Sequence, residues 1–349
     1  MVLFWLGLAI LFGPLVFMGF ALVLKQVYVR WKYQHHMVRI FQEKPLLVIP
    51  RGQPLDTAED VSFPTTNGLS LRGCYLFAAK PRRGVILFGL EFGSNRWSCR
   101  PYCEHLIGAG FDVFAFESRN QGDSDSLPGY DPLHWVTDYE REDAQAALAY
   151  LKSRPDADPR GVGFFGISKG AGAGMLAAAR DPYVRCLVTD GMFATYTTLV
   201  PYMRQWFRIY NQRYAIHGLL PSWFFGIVGL AGLRQIERER RCHFPHLERA
   251  MPQLSPRPLL MIHGEQDNYI RAGMAERLFA HAKEPKEFWL VPGAKHNGAL
   301  HVCGNEYRRR ILDFFELHLA DTTVQPAPLP QSSAEVELPQ RKKRHLLSR

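Results

Sequence analysis

Residues 161–179 read GVGFFGISKGAGAGMLAAA, and the fold turns on how this stretch is divided. Gly161 to Ile167 is a short apolar run bounded by glycine, the pattern of a strand buried on both faces. Gly170 to Ala179 is made of small residues with Met175 and Leu176, and reads as a helix. Between them lies Gly166-Ile167-Ser168-Lys169-Gly170, a G-x-S-x-G placed where strand gives way to helix. A turn this sharp strains the serine backbone, and side chains two positions before and after it would collide with the neighbouring strand and helix. Glycines at those places push the serine into the open. A glycine-rich turn of a nucleotide-binding sheet is the competing explanation, but the GxGxxG spacing and its acidic ribose partner are absent.

Working outward, short apolar runs alternate with amphipathic stretches from Val61 onward. Leu69 to Phe77, Gly84 to Gly89, Phe111 to Glu117, Val184 to Thr189, Pro258 to His263 and Glu287 to Val291 are the further candidate strands. Trp135 to Leu151 carries Ala144, Ala147, Leu148 and Leu151 at helical spacing, and Tyr307 to Leu319 closes the domain as a helix. The expected fold is α/β, a mostly parallel sheet with helices on both faces, over residues 61–320. From 192 to 252 the alternation fails, and an aromatic then strongly charged helical insertion is expected to cap the sheet. Its apolar stretch Leu219 to Leu233 is interrupted by Pro221, Gly226, Gly229 and Gly232, which favours packing as a lid over insertion into a membrane.

A serine hydroxyl needs a base to take its proton, and that base needs an acid to hold its tautomer. Two downstream loops supply both. HGEQD ends the strand at His263 and offers Asp267, and PGAKHN follows the strand ending at Val291 and offers His296. Each residue of the set Ser168, Asp267 and His296 follows a separate strand. Asp190, after the strand Val184 to Thr189, competes as the acid, with spacing in favour of Asp267.

On GISKG, HGEQD and PGAKHN, with FPTTNGLSLRGCYL and GFDVFAFESRNQGDS as supporting pieces, residues from about 61 to 319 resemble the α/β-hydrolase superfamily of serine hydrolases, in a branch with a membrane anchor ahead of the domain. The chain departs from many relatives after Gly84 to Gly89, where it has Phe88-Gly89-Leu90-Glu91-Phe92-Gly93 in place of His-Gly followed by further glycines. The resemblance implies an oxyanion hole made by backbone N–H groups of that loop and of the residue after the nucleophile. By position these are Leu90 and Lys169, with Glu91 or Phe92 as alternatives to Leu90. A serine-lysine pair at the elbow is also found in some acyl-thioesterases.

The ends of the chain add a second theme. Val2 to Leu24 carries no charged residue and, as a helix rising about 1.5 Å per residue, is long enough to cross a bilayer. It lacks the basic start and small-residue cleavage site of a signal peptide, so a retained anchor over 1–24 is expected. Lys25, Arg30, Lys32, Arg39 and Lys44 follow it, placing the rest of the chain on the cytoplasmic side. Residues 25–60 are expected to be a juxtamembrane connector, and 321–349 a disordered basic tail that either touches anionic lipid or stays solvated.

Composition excludes several classes. Hydrophobic residues make up 47% and charged residues 21% of the 349, which suits neither a disordered chain nor a polytopic membrane protein. The net charge of +9 owes much to the last nine residues, and no basic stripe interleaved with aromatics suggests nucleic acid as a partner. The six cysteines are scattered, as in a reducing compartment, and Cys242, His243 and His246 lack the companions of a metal site. The expected activity is cleavage of a small lipophilic acyl ester through an acyl-enzyme, without metal or organic cofactor. Thioester and peptide cleavage use the same machinery, and a catalytically silent membrane scaffold is the alternative from another class. The oligomeric state is not legible.

Overall fold

The structure is a computed structural model that describes residues 1–42, 51–78, 81–210 and 221–320. The stretch 321–349, expected as a tail, and Lys44 lie outside the described residues.

Eight strands form one sheet: β1 (Glu59–Pro64), β2 (Ser70–Leu76), β3 (Gly84–Gly89), β4 (Phe111–Phe116), β5 (Val162–Ile167), β6 (Val184–Asp190), β7 (Leu259–Gly264) and β8 (Lys286–Val291). Their spatial order is β1-β2-β4-β3-β5-β6-β7-β8. β2 pairs antiparallel with both β1 and β4, and every other pairing is parallel. β3, β4, β5 and β7 are buried along their whole length, as strands covered by helices on both faces must be. The covering helices include α2 (Arg100–Gly108), α3 (Asp138–Ser153), α4 (Ser168–Ala178), α8 (Ala272–Phe279) and α10 (Gly304–His318), with a short α9 (Ala299–Val302) before the last. This is the α/β-hydrolase architecture expected from the sequence.

Local chemistry explains the element ends. Thr137 caps α3 in a reciprocal box: its side chain accepts from the helix backbone while Glu140 accepts from the Thr137 N–H. β1 escapes a reading by apolar runs because it is an edge strand with only Val61 and Phe63 turned inward. α2 escapes it because its few buried positions, Tyr102, Cys103 and Leu106, follow a proline at the helix start.

Between β6 and β7 the chain leaves the sheet as α5 (Thr195–Tyr210), α6 (Ser222–Arg240) and the short α7 (Leu247–Ala250). α5 and α6 form the expected cap. Phe224, Phe225, Val228 and Leu233 of α6 are buried in a cluster with Leu199 and Met203 of α5. Leu247, Met251 and Leu254 belong instead to the core under the sheet, so the cap hands back to the domain body before 252.

The amino-terminal helix α1 runs from Val2 to Gln42 without a break. It extends past the anchor expected over 1–24, so residues 25–42 of the expected connector are helical. Val29, Met37, Val38 and Phe41 are buried against the cap, and that apolar face is what continues the helix beyond its uncharged segment. The helix over Ile10–Arg39 is long enough, and in part apolar enough, to cross a membrane, and residues 10–24 are exposed along nearly their full length.

Candidate active site

The elbow is built as its residues require. Ser168 takes a φ of 50°, a left-handed conformation that costs a non-glycine residue energy and holds the hydroxyl at the head of α4. A Cβ at Gly166 would come within 2.6 Å of the Ala171 Cα, and one at Gly170 would fall within the backbone of Gly89 and Leu90. The two glycines of G-x-S-x-G therefore let α4 lie directly against β3 and β5.

Ser168, His296 and Asp267 converge from three loops. The Ser168 Oγ is 3.0 Å from His296 Nε2, and His296 Nδ1 is 2.6 Å from Asp267 Oδ2. With the proton on Nδ1 donated to the Asp267 carboxylate, Nε2 presents its lone pair to the serine hydroxyl. The other carboxylate oxygen, Asp267 Oδ1, accepts from the backbone N–H groups of Tyr269 and Ile270, each at 2.8 Å. Both oxygens of the acid are thus fixed. Gly264, at the end of β7, allows the histidine loop its approach, since a Cβ there would meet the carbonyls of Ala294 and Lys295 at 2.5 and 2.6 Å. Buried His263 donates from Nε2 to the Ile270 carbonyl at 2.7 Å and supports the same turn, and burial lowers its pKa.

Asp190 stands elsewhere. Its Oδ2 accepts from the Tyr307 hydroxyl at 2.8 Å, and burial raises its carboxyl to about 7, against that hydrogen bond and the nearby His296.

Leu90 directly follows β3, and Lys169 occupies the first turn of α4, where backbone N–H groups have no acceptor within the helix. The loop that departs from its relatives closes into a turn: Ser94 donates from N and Oγ to the Glu91 carbonyl, and Gln121 Nε2 donates to the carbonyls of Glu91 and Ser94. The Glu91 side chain accepts from Asn297 Nδ2 at 2.7 Å, tying this loop to the residue after His296. Burial raises the Glu91 pKa, while that hydrogen bond and His296 oppose the rise. Sequence reasoning missed the Glu91–Asn297 tie: Asn297 ends the PGAKHN motif and Glu91 lies in the departing loop, but no pattern in either segment joins the two.

The Lys169 ammonium does not face outward. It donates to the Leu133 carbonyl at 2.6 Å and to Glu140 at 2.8 Å. Burial disfavours ionised Glu140, yet the ammonium and hydrogen bonds from Lys169, Thr137 and Tyr130 hold its pKa below the usual carboxylate range.

Aromatic rings lead away from the histidine. Tyr269 and Phe193 lie 5.4 and 6.2 Å from the His296 ring, and Trp135 lies 5.4 Å from Phe193. Trp135 stacks on Phe41 of α1 at 4.3 Å and donates its indole N–H to the Phe41 carbonyl. His134 sits beside Trp135 and Tyr269, and burial pushes its imidazole down to about 3, so it is neutral. None of these rings was singled out in the sequence, since aromatic residues spread over separate loops and the end of α1 share no spacing signal.

Among the described residues no group of three or more His, Cys, Asp or Glu is placed to hold a metal ion. His243 is paired with Glu237, and His246 stacks on Tyr196.

Fold and site together define a hydrolase of the α/β type. Residues 92–310 match the family described as the alpha/beta hydrolase family, and the chain belongs to it. Uncharacterized protein YfhR of Escherichia coli is 28% identical over 267 residues, spanning 74% of this chain and 80% of its own. A thiohydrolase of Arthrinium phaeospermum is 33% identical over 136 residues, 38% of this chain and 42% of its own. Among solved structures, an esterase of Pyrococcus furiosus superposes with a TM-score of 0.58 at 20% identity, covering 80% of this chain and 98% of its own.

Proposed function

We propose that the chain is a serine hydrolase that cleaves a lipophilic acyl ester. His296 takes the Ser168 proton, Ser168 attacks the carbonyl carbon, and Asp267 offsets the charge that develops on the imidazole. Backbone N–H groups of Leu90 and Lys169 stabilise the tetrahedral oxyanion, the alcohol leaves with a proton from His296, and water releases the acyl group by the same steps. The observation that carries this reading is the unbroken hydrogen-bonded line from Ser168 Oγ through His296 to Asp267 at a strained elbow. The aromatic path from His296 to Phe41 supports an apolar acyl chain. It also supports a supply of substrate from the membrane with α1 as a single-pass anchor, and the cations that follow the uncharged segment of α1 support a cytoplasmic side for the catalytic domain, residues 61–320.

Thioester cleavage is the second reading, favoured by the thiohydrolase similarity across part of the chain.

Labelling by a fluorophosphonate probe in detergent tests the proposal. Wild type is expected to label, and Ser168→Ala and His296→Ala to lose labelling. A panel of esters and thioesters of increasing chain length then separates the two readings. A folded wild type that stays unlabelled and cleaves neither class overturns both in favour of a silent scaffold.

A further inference from the structure

The exposed face of α6 changes character along its length. Trp223, Ile227, Leu230, Arg234 and Arg238 recur at three- and four-residue intervals, so they form one line on the helix, and all five are exposed. The first three are apolar and the last two cationic. A soluble cap would turn polar residues outward here. Instead Trp223 is 52% and Ile227 46% accessible.

α1 makes the same change beside it. Leu24, Val27, Tyr28 and Trp31 are exposed, while the charged part of α1 begins at Lys25 and continues through Arg30 and Lys32. The two helices point the same way: Gln42 is bonded to Glu239 and Arg240, and Gln34, two turns earlier, to Gln235. The apolar half of α6 begins roughly 18 Å before Gln235 at 1.5 Å per residue, and so reaches back toward the uncharged segment of α1. Two neighbouring helices pass from apolar to cationic in the same direction.

At that transition a groove of about 700 Å³ lies between them, lined in part by Arg30, Ile227, Leu230, Arg234, Glu237 and Arg238. Its acid is engaged, since Glu237 accepts from the Phe244 N–H and pairs with His243. Among the described residues Arg30 spends only Nε, on Gln34. Among the described residues Arg234 and Arg238 enter no ion pair. Three guanidinium groups beside an apolar wall match a phosphate diester carrying acyl chains.

We propose that the amino-terminal half of α6 enters the leaflet next to α1, and that the groove between them holds the headgroup phosphate of an anionic phospholipid. The inference rests on α1 being a membrane anchor. Trp223, Ile227 and Leu230 then lie at the level of the acyl chains, with the arginines at the headgroups, in the manner of an interfacial helix. The cap over the Ser168 site is thereby seated on the bilayer, and the lid reading of α6 acquires a membrane face.

The full chain in proteoliposomes tests this through tryptophan quenching by lipids brominated on the acyl chain. Trp223→Phe is expected to lower the quenched signal, as is Trp5→Phe in α1, and Ile227→Trp placed in the Trp223→Phe background restores it. If Trp5 is quenched while neither Trp223 nor the new Trp at position 227 contributes, the cap stays out of the membrane and the inference falls with the anchor intact. If none of the three contributes, the anchor reading itself fails. For the headgroup, protein taken from an equimolar phosphatidylglycerol and phosphatidylcholine bilayer is expected to retain the anionic lipid at least threefold over the neutral one. Arg234→Gln with Arg238→Gln brings that ratio to parity while the circular dichroism stays native. Parity in the wild type overturns the phosphate site.

Discussion

The Lys169 ammonium lies 2.8 Å from Glu140, with both side chains buried, so the residue that follows Ser168 is tied through its side chain to α3. In the proposed reaction its backbone N–H serves the oxyanion, while its charge is spent inside the fold. A serine-lysine pair at an elbow therefore gives no cation to the substrate in this chain. Glu140 also accepts from Tyr130 and from Thr137, which makes the pair one part of a satisfied network at the start of α3.

Breaking such a pair leaves an unpaired buried charge and costs about 3–5 kcal/mol, whereas replacing both partners with apolar residues of similar size is close to neutral. Lys169→Met is expected to destabilise the chain by about 3 kcal/mol or more, and Lys169→Met with Glu140→Leu to cost less than the sum of the two single losses, the remainder coming from Tyr130 and Thr137, which lose their acceptor. Denaturant unfolding of the four proteins in detergent measures the coupling. Simple additivity of the two losses would show that the pair is not a unit.

Asp190 gives a prediction about pH. Its folded pKa, about 7, is raised by burial, whereas the unfolded chain titrates near the ordinary value of about 3.9. Below that value both states hold the proton. Between about 4 and 7 the unfolded chain releases it while the folded chain keeps it, so stability falls as pH rises, and above 7 the loss is complete. Asp190→Asn removes this term and can still accept from Tyr307. The variant is expected to gain stability relative to wild type from pH 4 to 7 and then level off. It should also keep hydrolytic activity, while Asp267→Asn loses about a thousandfold or more. Unfolding midpoints at several pH values and rates on a short ester check both halves. Loss of activity in Asp190→Asn with a full rate in Asp267→Asn would move the acid to β6.

Much of this was legible in the sequence because the central strands are short apolar runs punctuated by glycine. β3 occupies the residues read from GVILFG, and Ser168, Asp267 and His296 each lie just beyond a strand whose end the pattern marked. What escaped lacks a one-dimensional period. β1 turns only two side chains inward, and the Glu91–Asn297 and Lys169–Glu140 ties join residues far apart in sequence. The extension of α1 to Gln42 depends on Val29, Met37, Val38 and Phe41 finding a cap to bury against, which no local pattern announces.

Two glycines at helix positions have opposite predicted responses to alanine. Gly273, in α8, has no atom within 4 Å of a built Cβ, so alanine meets open space and removes backbone freedom from the unfolded chain. Gly273→Ala is expected to raise stability by about 0.5–1 kcal/mol and leave fluorophosphonate labelling unchanged. At Gly170 the Cβ would instead overlap the backbone of Gly89 and Leu90, which cannot swing aside as a side chain tip can. Relief requires α4 to move away from β3, carrying Ser168 and the Lys169 N–H away from the Leu90 N–H. Because oxyanion donors act only within about 2.7–3.1 Å of the developing charge, a shift of an ångström removes most of their effect. Gly170→Ala is expected to cut the labelling rate a hundredfold or more, beyond any loss in thermal stability measured on the same sample. Labelling at the wild-type rate would mean that the hole is not formed between these two segments, and would move the loop donor from Leu90 to Glu91 or Phe92.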